Sequence, residues 1–311
     1  MRGCRFFCKA RAVSSNAKTV VSLFARRACS VCLALLVFTP QTALAAGKDE
    51  DAPPQRYSLA VSEGTSGGID ASQALAKYRP LAGAMQHTLG KPVNIVYVRS
   101  FVELEAGMRN GKFDFVMARP SDYPARGVRD YKYRLVATSS PDGQCYFIVV
   151  NNSPLKSIAD ARDKSLAFPE KYAYMTKFCT AELRDKGIVV KGANTKYVRE
   201  QSAVAAAVER NLFEIGGVAS YSVVARNWEK SGNRILHKSA PQPYFPLIAG
   251  SRVPAGDLVR LQVALAGLDK SEVGKKILVG IGIQGFKVES PARLLSLLEW
   301  LDDVDLHPLE E

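Results

Sequence analysis

The chain has 311 residues, 47% hydrophobic and 23% charged, proportions that exclude a disordered, collagen-like or coiled-coil protein. Its formal charge is +12, from 42 Lys and Arg against 30 Asp and Glu. Seven of those basic residues precede position 28 with no acidic residue among them, so more than half of the excess is a leader's charge, and what is left does not mark a nucleic-acid-binding surface.

Ala28 to Phe38 is apolar apart from Ser30, and Ala43-Leu44-Ala45 supplies the small side chains of a signal-peptidase site. Residues 1–45 therefore read as a cleaved secretory signal peptide, because the apolar run is well short of the roughly 20 residues needed to span a bilayer. Cleavage leaves 35 basic against 30 acidic residues, a charge of +5. No later segment is apolar over the ~18 residues of a membrane helix, so the expected product is exported to the periplasm, without stable membrane insertion and without a nucleic-acid partner. Four of the six cysteines leave with the leader; Cys145 and Cys179 remain, either as one disulfide or as two separately buried thiols. His87, His237 and His307 are dispersed along the chain, and no metal or cofactor is expected.

Residues 46–56 read as a flexible lead-in. Tyr57 to Val61 reads as a strand, followed by the small-residue loop Glu63 to Gly68. Asp70 can cap a helix carrying Leu75, Tyr78, Leu81, Met85 and Leu89, with Pro80 as its start or a kink. Val93 to Val98 is a second strand, Ser100 caps a helix over Phe101, Leu104 and Met108, and Phe113 to Ala118 is a third strand. This alternation predicts an α/β domain with a mainly parallel sheet, whose ligand edge lies beyond the strands' carboxyl ends.

The plan then repeats. Strands are expected at Tyr146 to Val150, Ser165 to Phe168 and Ile215 to Ala219. Helices are expected at Ser157 to Asp163, Thr176 to Lys186 and, capped by Ser202, Ala203 to Arg210. Ile235 to His237 and Leu247-Ile248 are strand-like, Leu258 to Leu268, Ser271 to Leu278 and Pro291 to Leu301 helical, and residues 302–311 a C-terminal tail.

No Gly-x-Ser-x-Gly elbow, His-Glu-x-x-His pair or P-loop occurs in the sequence. Asp114 and Glu214 each lie in or beside an apolar strand, which favours structural roles over paired-carboxylate catalysis. Cys145 has no neighbouring histidine to make it a nucleophile. The chain is not expected to be an enzyme.

Several segments occur in an order that resembles a known family. They are Tyr78-Arg79-Pro80-Leu81, Leu89-Gly90-Lys91-Pro92-Val93, Gly111 to Phe115, Arg119-Pro120-Ser121-Asp122-Tyr123, Asn152 to Asp160, Pro243 to Pro254 and Gly274 to Phe286. They resemble the phosphate/phosphite/phosphonate-binding proteins of ABC importers. The resemblance implies an α/β, two-lobe type II periplasmic binding protein fold, with the second lobe inserted in the first and two hinge crossovers, near Ser139 to Gln144 and Ile235 to Ala240. Lobe I would be 57–140 plus 238–301 and lobe II 141–237. It further implies a monomer that captures a small molecule, a phosphorus oxyanion such as phosphate, phosphite or phosphonate, and delivers it to the importer's permease. The alternative is a ligand-sensing protein of the same fold that presents its state to a membrane sensor.

The family's Ser-Thr-Ser loop stands here as Glu170 to Thr176. Candidate ligand contacts are accordingly Lys171, Tyr172, Tyr174 and Thr176 in that loop and Ser202 before the alanine-rich helix. The strand-edge loops add Thr65, Ser66, Ser100, Arg119 and Tyr123. On this reading Arg119→Ala is expected to weaken binding and to leave the unliganded melting temperature nearly unchanged.

Overall fold

The computed structural model describes residues 55–64, 69–171 and 173–302; the leader, most of the lead-in and the tail beyond Asp302 lie outside them. The strands β1 (Tyr57–Ser62), β2 (Val93–Tyr97) and β3 (Phe115–Ala118) run parallel, with Leu59 opposite both Ile95 and Phe115. All four residues of β3 are buried, as befits a strand covered on both faces. The helix α1 (Ala71–Leu89) starts in a capping box built by Asp70 and Gln73 and ends at Gly90, which holds the left-handed φ of 67°. It runs through Pro80 instead of starting there, because the face bearing Tyr78, Leu81, Ala82 and Met85 is buried and holds the helix together across the missing N–H. Then come α2 (Phe101–Arg109), α3 (Asp122–Asp130) and the long strand β4 (Arg134–Gly143).

One residue, Gln144, carries the chain into a second sheet. Its strands are β5 (Cys145–Val149), β6 (Leu166–Phe168), β7 (Thr195–Tyr197), β8 (Ile215–Ala219) and β9 (Arg234–Lys238). Around them lie α4 (Tyr174–Asp185), α5 (Gln201–Glu209) and α6 (Val223–Trp228). Ser239-Ala240-Pro241 leads back to β10 (Gln242–Ala249), α7 (Ala255–Ala266), α8 (Glu272–Ile281), β11 (Gly285–Lys287) and α9 (Ala292–Asp302). Ser157 to Asp163 shortens to a single 3-10 turn over Ile158–Ala161.

The sheet orders are β11-β4-β10-β3-β1-β2 and β7-β6-β8-β5-β9. In each, the strand that has just arrived from the other sheet, β10 or β5, runs antiparallel to both its neighbours, and in the first sheet the edge strand β11 also runs antiparallel to β4. The protein is thus a two-lobe α/β fold of the type II periplasmic binding protein kind. The two passages between lobes are fastened side by side: Gln144 Nε2 donates to the Ser239 carbonyl (2.6 Å) and the Cys145 amide to Ser239 Oγ (2.8 Å).

One apolar core covers the outer face of the first sheet, joining Tyr57, Tyr78, Phe115, Phe245 and Leu261. A second runs between the lobes, joining Phe147, Phe178 and Cys179 to Tyr123, Leu294 and Leu298. The disulfide Cys145–Cys179 sits in this second core, with Sγ atoms 2.09 Å and Cα atoms 5.4 Å apart. It ties α4 to the strand that leaves the hinge.

Candidate functional site

Residues after the carboxyl ends of β1, β3 and β8 converge with the first turns of α4 and α5 on one cavity of about 400 Å³. The strand-edge rule anticipates this place.

Lobe I supplies an ionic wall. Glu63, buried just after β1, accepts hydrogen bonds from the Tyr78 hydroxyl, from Lys77 Nζ at 2.6 Å and from Arg119 Nε. Burial pushes the Glu63 carboxyl up, but Arg119 and Lys77 outweigh it and hold the group below its ordinary value. Burial and the neighbouring Arg119 together lower Lys77, against the pull of Glu63. Arg119 also donates Nη2 to the Ile281 carbonyl at 2.9 Å and lies 4.6 Å from the Phe245 ring centre. It is therefore bound into the lobe and not merely presented at its edge.

Lobe II supplies backbone. Side chains of Asp70, Ser100, Ser222 and Ser271 cap α1, α2, α6 and α8. The N-cap residues of α4 and α5, Ala173 and Glu200, place no side chain on the first-turn N–H groups. Both helix starts line the cavity, so two positive helix ends face one space. Glu200, not Ser202, occupies the cap position of α5. The backbone turns helical at Gln201, whose side-chain carbonyl accepts the Ala219 amide at 2.7 Å. Tyr221, its hydroxyl pushed up to about 12 by burial, and Arg226 complete this side.

Of the residues expected from sequence, Arg119, Tyr174 and Ser202 line the cavity. Ser100 accepts the Glu103 amide as the cap of α2, and Tyr123 is buried against Phe101, ring centres 4.9 Å apart, with Phe101 reaching the cavity in its place. Thr176 is fully buried and donates to the Pro169 carbonyl. Lys171 is exposed on the turn before α4. None of these four lines the cavity. Thr65, Ser66 and Tyr172 lie outside the described residues. Lys77, Gln201, Tyr221 and Arg226 went unpredicted; Tyr221, two residues past β8, obeys the same strand-edge rule that selected Arg119.

Asp114 and Glu214 belong to different sheets. Asp114 accepts from the Ser58 amide and hydroxyl at 2.9 Å and pairs with Arg252; Glu214 accepts the Ser165 amide and pairs with Lys164. Among the described residues no three His, Cys, Asp or Glu side chains are grouped to hold a metal ion, and no helix is long and apolar enough to cross a membrane.

The fold has relatives of known structure. XAC2383 from Xanthomonas citri, solved bound to ATP, superposes with a TM-score of 0.62 at 17% identity, covering 79% of this chain and 98% of that one. PhnD1 from Prochlorococcus marinus, solved in complex with methylphosphonate, gives 0.61 at 16% identity over 79% and 98%. The periplasmic aliphatic sulphonate-binding protein SsuA from Escherichia coli gives 0.53 at 13% identity over 78% and 83%. At these identities the likeness is one of fold. No curated protein matches the sequence. Residues 69–293 match the family described as ABC transporter, phosphonate, periplasmic substrate-binding protein. The chain belongs to that family of periplasmic binding proteins, which hold a small ligand between two lobes for an ABC importer.

Proposed function

We propose that the cavity binds a phosphorus oxyanion across the lobes. The observation that carries this reading is the meeting of two helix starts without side-chain caps, those of α4 and α5, with Lys77 and Arg119 in one cavity. Two sets of unpaired N–H groups provide directional donors for tetrahedral oxygens. Lys77 and Arg119 outnumber Glu63, so the lobe I wall is net positive.

Tyr174, Ser202 and Tyr221 fill the remaining walls. Thr65, Ser66 and Tyr172 stay within the proposal because their described neighbours Gly64 and Ala173 line the same space. The Xanthomonas and Prochlorococcus proteins were solved with ligands that both carry phosphorus oxyanions. Lobe closure around the anion would present the loaded form to a permease, with no chemical turnover. In the same reading residues 1–45 are removed on export, the mature monomer works in the periplasm, and the lobes divide at 57–140 plus 238–301 and 141–237.

The test is a thermal-shift and calorimetric screen of protein unfolded and refolded to strip carried-over ligand. At a hundredfold excess over its Kd, a true ligand stabilises the fold by about 2.7 kcal/mol. Binding of phosphate, phosphite or a phosphonate supports the reading; binding of amino acids or sulphonates with silence among phosphorus compounds overturns it.

A further inference from the structure

Beside the cavity lies a second chamber of about 550 Å³, set against the hinge. Tyr221, Arg226 and Gly282 line both spaces, so the two adjoin. A bare oxyanion of roughly five heavy atoms, such as phosphate, needs on the order of 150 Å³, even at a water's share of ~30 Å³ per atom. The first cavity alone exceeds that, and the two together reach the size of pockets that enclose ligands with an organic framework.

The walls of the second chamber differ in kind from the first. Asp142 at its edge is consumed by Lys287 and Arg293, so its carboxylate is already neutralised. Ser140, Ser220, Gln144 and Gln284 contribute hydroxyl and amide groups, and Tyr146 and Tyr221 contribute rings. The Tyr221 ring is held flat by stacking on Tyr244, centres 4.0 Å apart and planes 17° from parallel. The guanidinium of Arg226 stands at the same boundary, its Nη1 donating to the Tyr221 carbonyl at 2.6 Å. Apart from Arg226 at the boundary and Lys238, whose Nζ lies 4.9 Å from the Tyr146 ring centre, the walls are rings and uncharged hydrogen-bonding groups, which suit a planar, polar organic moiety.

We propose that this chamber is a subsite for a planar, hydrogen-bonding organic group carried by the ligand, making the substrate an organophosphorus compound with a ring and not a free oxyanion. The inference rests on the phosphorus-oxyanion reading of the first cavity. The head group would lie against the starts of α4 and α5, the ring would pass Tyr221, and the hinge would sense the ring directly, because Gln144 lines the chamber and is itself a crossover residue.

Val279 and Gln284 line this chamber but not the first cavity, and both are exposed, so a large side chain at either narrows the chamber's mouth without replacing a core side chain. Calorimetry on stripped protein would compare methylphosphonate, phenylphosphonate and adenosine monophosphate, which differ in the ring and its spacing from the head group. The expected result is that at least one ring compound binds about tenfold or more tighter than methylphosphonate. Val279→Trp and Gln284→Trp should abolish that advantage while changing methylphosphonate affinity less than about twofold. If methylphosphonate binds as tightly as both ring compounds, or both variants leave the advantage intact, the subsite is wrong and the oxyanion site stands. If no phosphorus compound binds, both readings fall together.

Discussion

Nζ of Lys177 in α4 lies 3.5 Å from Oδ2 of Asp122 in α3, joining lobe II to lobe I through two buried charges. Arg126 reaches the same oxygen at 3.7 Å, whereas Asp122 Oδ1 is buried without a protein partner. Removing one member of such a pair strands the other in a low-dielectric interior. Lys177→Met should therefore destabilise the protein by about 3 kcal/mol, read from the urea midpoint at unchanged slope. Combining it with Asp122→Asn should cost clearly less than the sum of the two single changes. Simple additivity would show that the charges do not interact across the lobes.

Arg119→Ala is expected to destabilise the unliganded protein, by about 2–3 kcal/mol, because it leaves the buried Glu63 with Lys77 as its remaining cation and unpairs the Ile281 carbonyl. The sequence-based expectation of a nearly unchanged melting temperature treated Arg119 as a free binding group. Melting of the ligand-free variant decides between them: a midpoint equal to that of the parent would mean that the Glu63 pair contributes nothing.

Glu63 also predicts an acid limb of stability. Its carboxyl is held below its ordinary value of 4.5 in the folded protein, so the unfolded chain takes up its proton at higher pH than the folded one. The stabilisation is complete above about pH 4.5 and is lost as pH falls through the lower folded value. Glu63→Gln should accordingly be less stable than the parent at neutral pH, with the gap narrowing below pH 4.5. A gap that stays constant through this range would assign the acid loss to other carboxylates, Asp142 foremost, which Lys287 and Arg293 hold low against its partial burial.

The Cys145–Cys179 bridge closes a loop with a sequence separation of 34, for which chain-entropy arguments give about 3–4 kcal/mol. Replacing both cysteines by alanine should lower stability by up to that amount, and unfolded, non-reduced protein should show no free thiol. Because the bridge joins the hinge strand to the helix whose first turn lines the cavity, ligand affinity should fall with it. Undiminished affinity in the double variant would limit the bridge to global stability.

The alternation of strands and helices was legible wherever an element buries a regular apolar face, as along β1, α1 and β8. Several elements escaped, α3, β4, α6 and β11 among them. The nine residues of α3 bury Asp122, Tyr123, Pro124, Ala125 and Gly127, too few of them large and apolar to show a helical period. Ser139 to Gln144, expected as a hinge crossover, instead extends β4 as far as Gly143, because β10 and β11 supply its partners from about a hundred residues or more further along. In the cavity, Arg119 was visible from its place at a strand end. Its engagement with Glu63, 56 residues away, has no periodic signature, and the absence of caps on α4 and α5 becomes meaningful only once both helices are seen to open on the same space.

That shared opening yields a prediction with opposed signs. Ser202 is exposed in the first turn of α5 and lines the cavity. An added carboxylate there interacts favourably with the helix start, by about 0.3–1 kcal/mol for an exposed site, although Glu200 close by offsets part of the gain. The same negative charge repels an anion held at that helix end. Ser202→Glu should thus leave the unliganded melting temperature unchanged or slightly raised, while weakening binding of a phosphorus oxyanion by about tenfold or more, a difference of ~1.4 kcal/mol. Raising the salt concentration should narrow the difference by screening the repulsion. If affinity is retained with a normal melting temperature, the anion does not rest on α5, and the α4 start together with Lys77 would have to hold it alone.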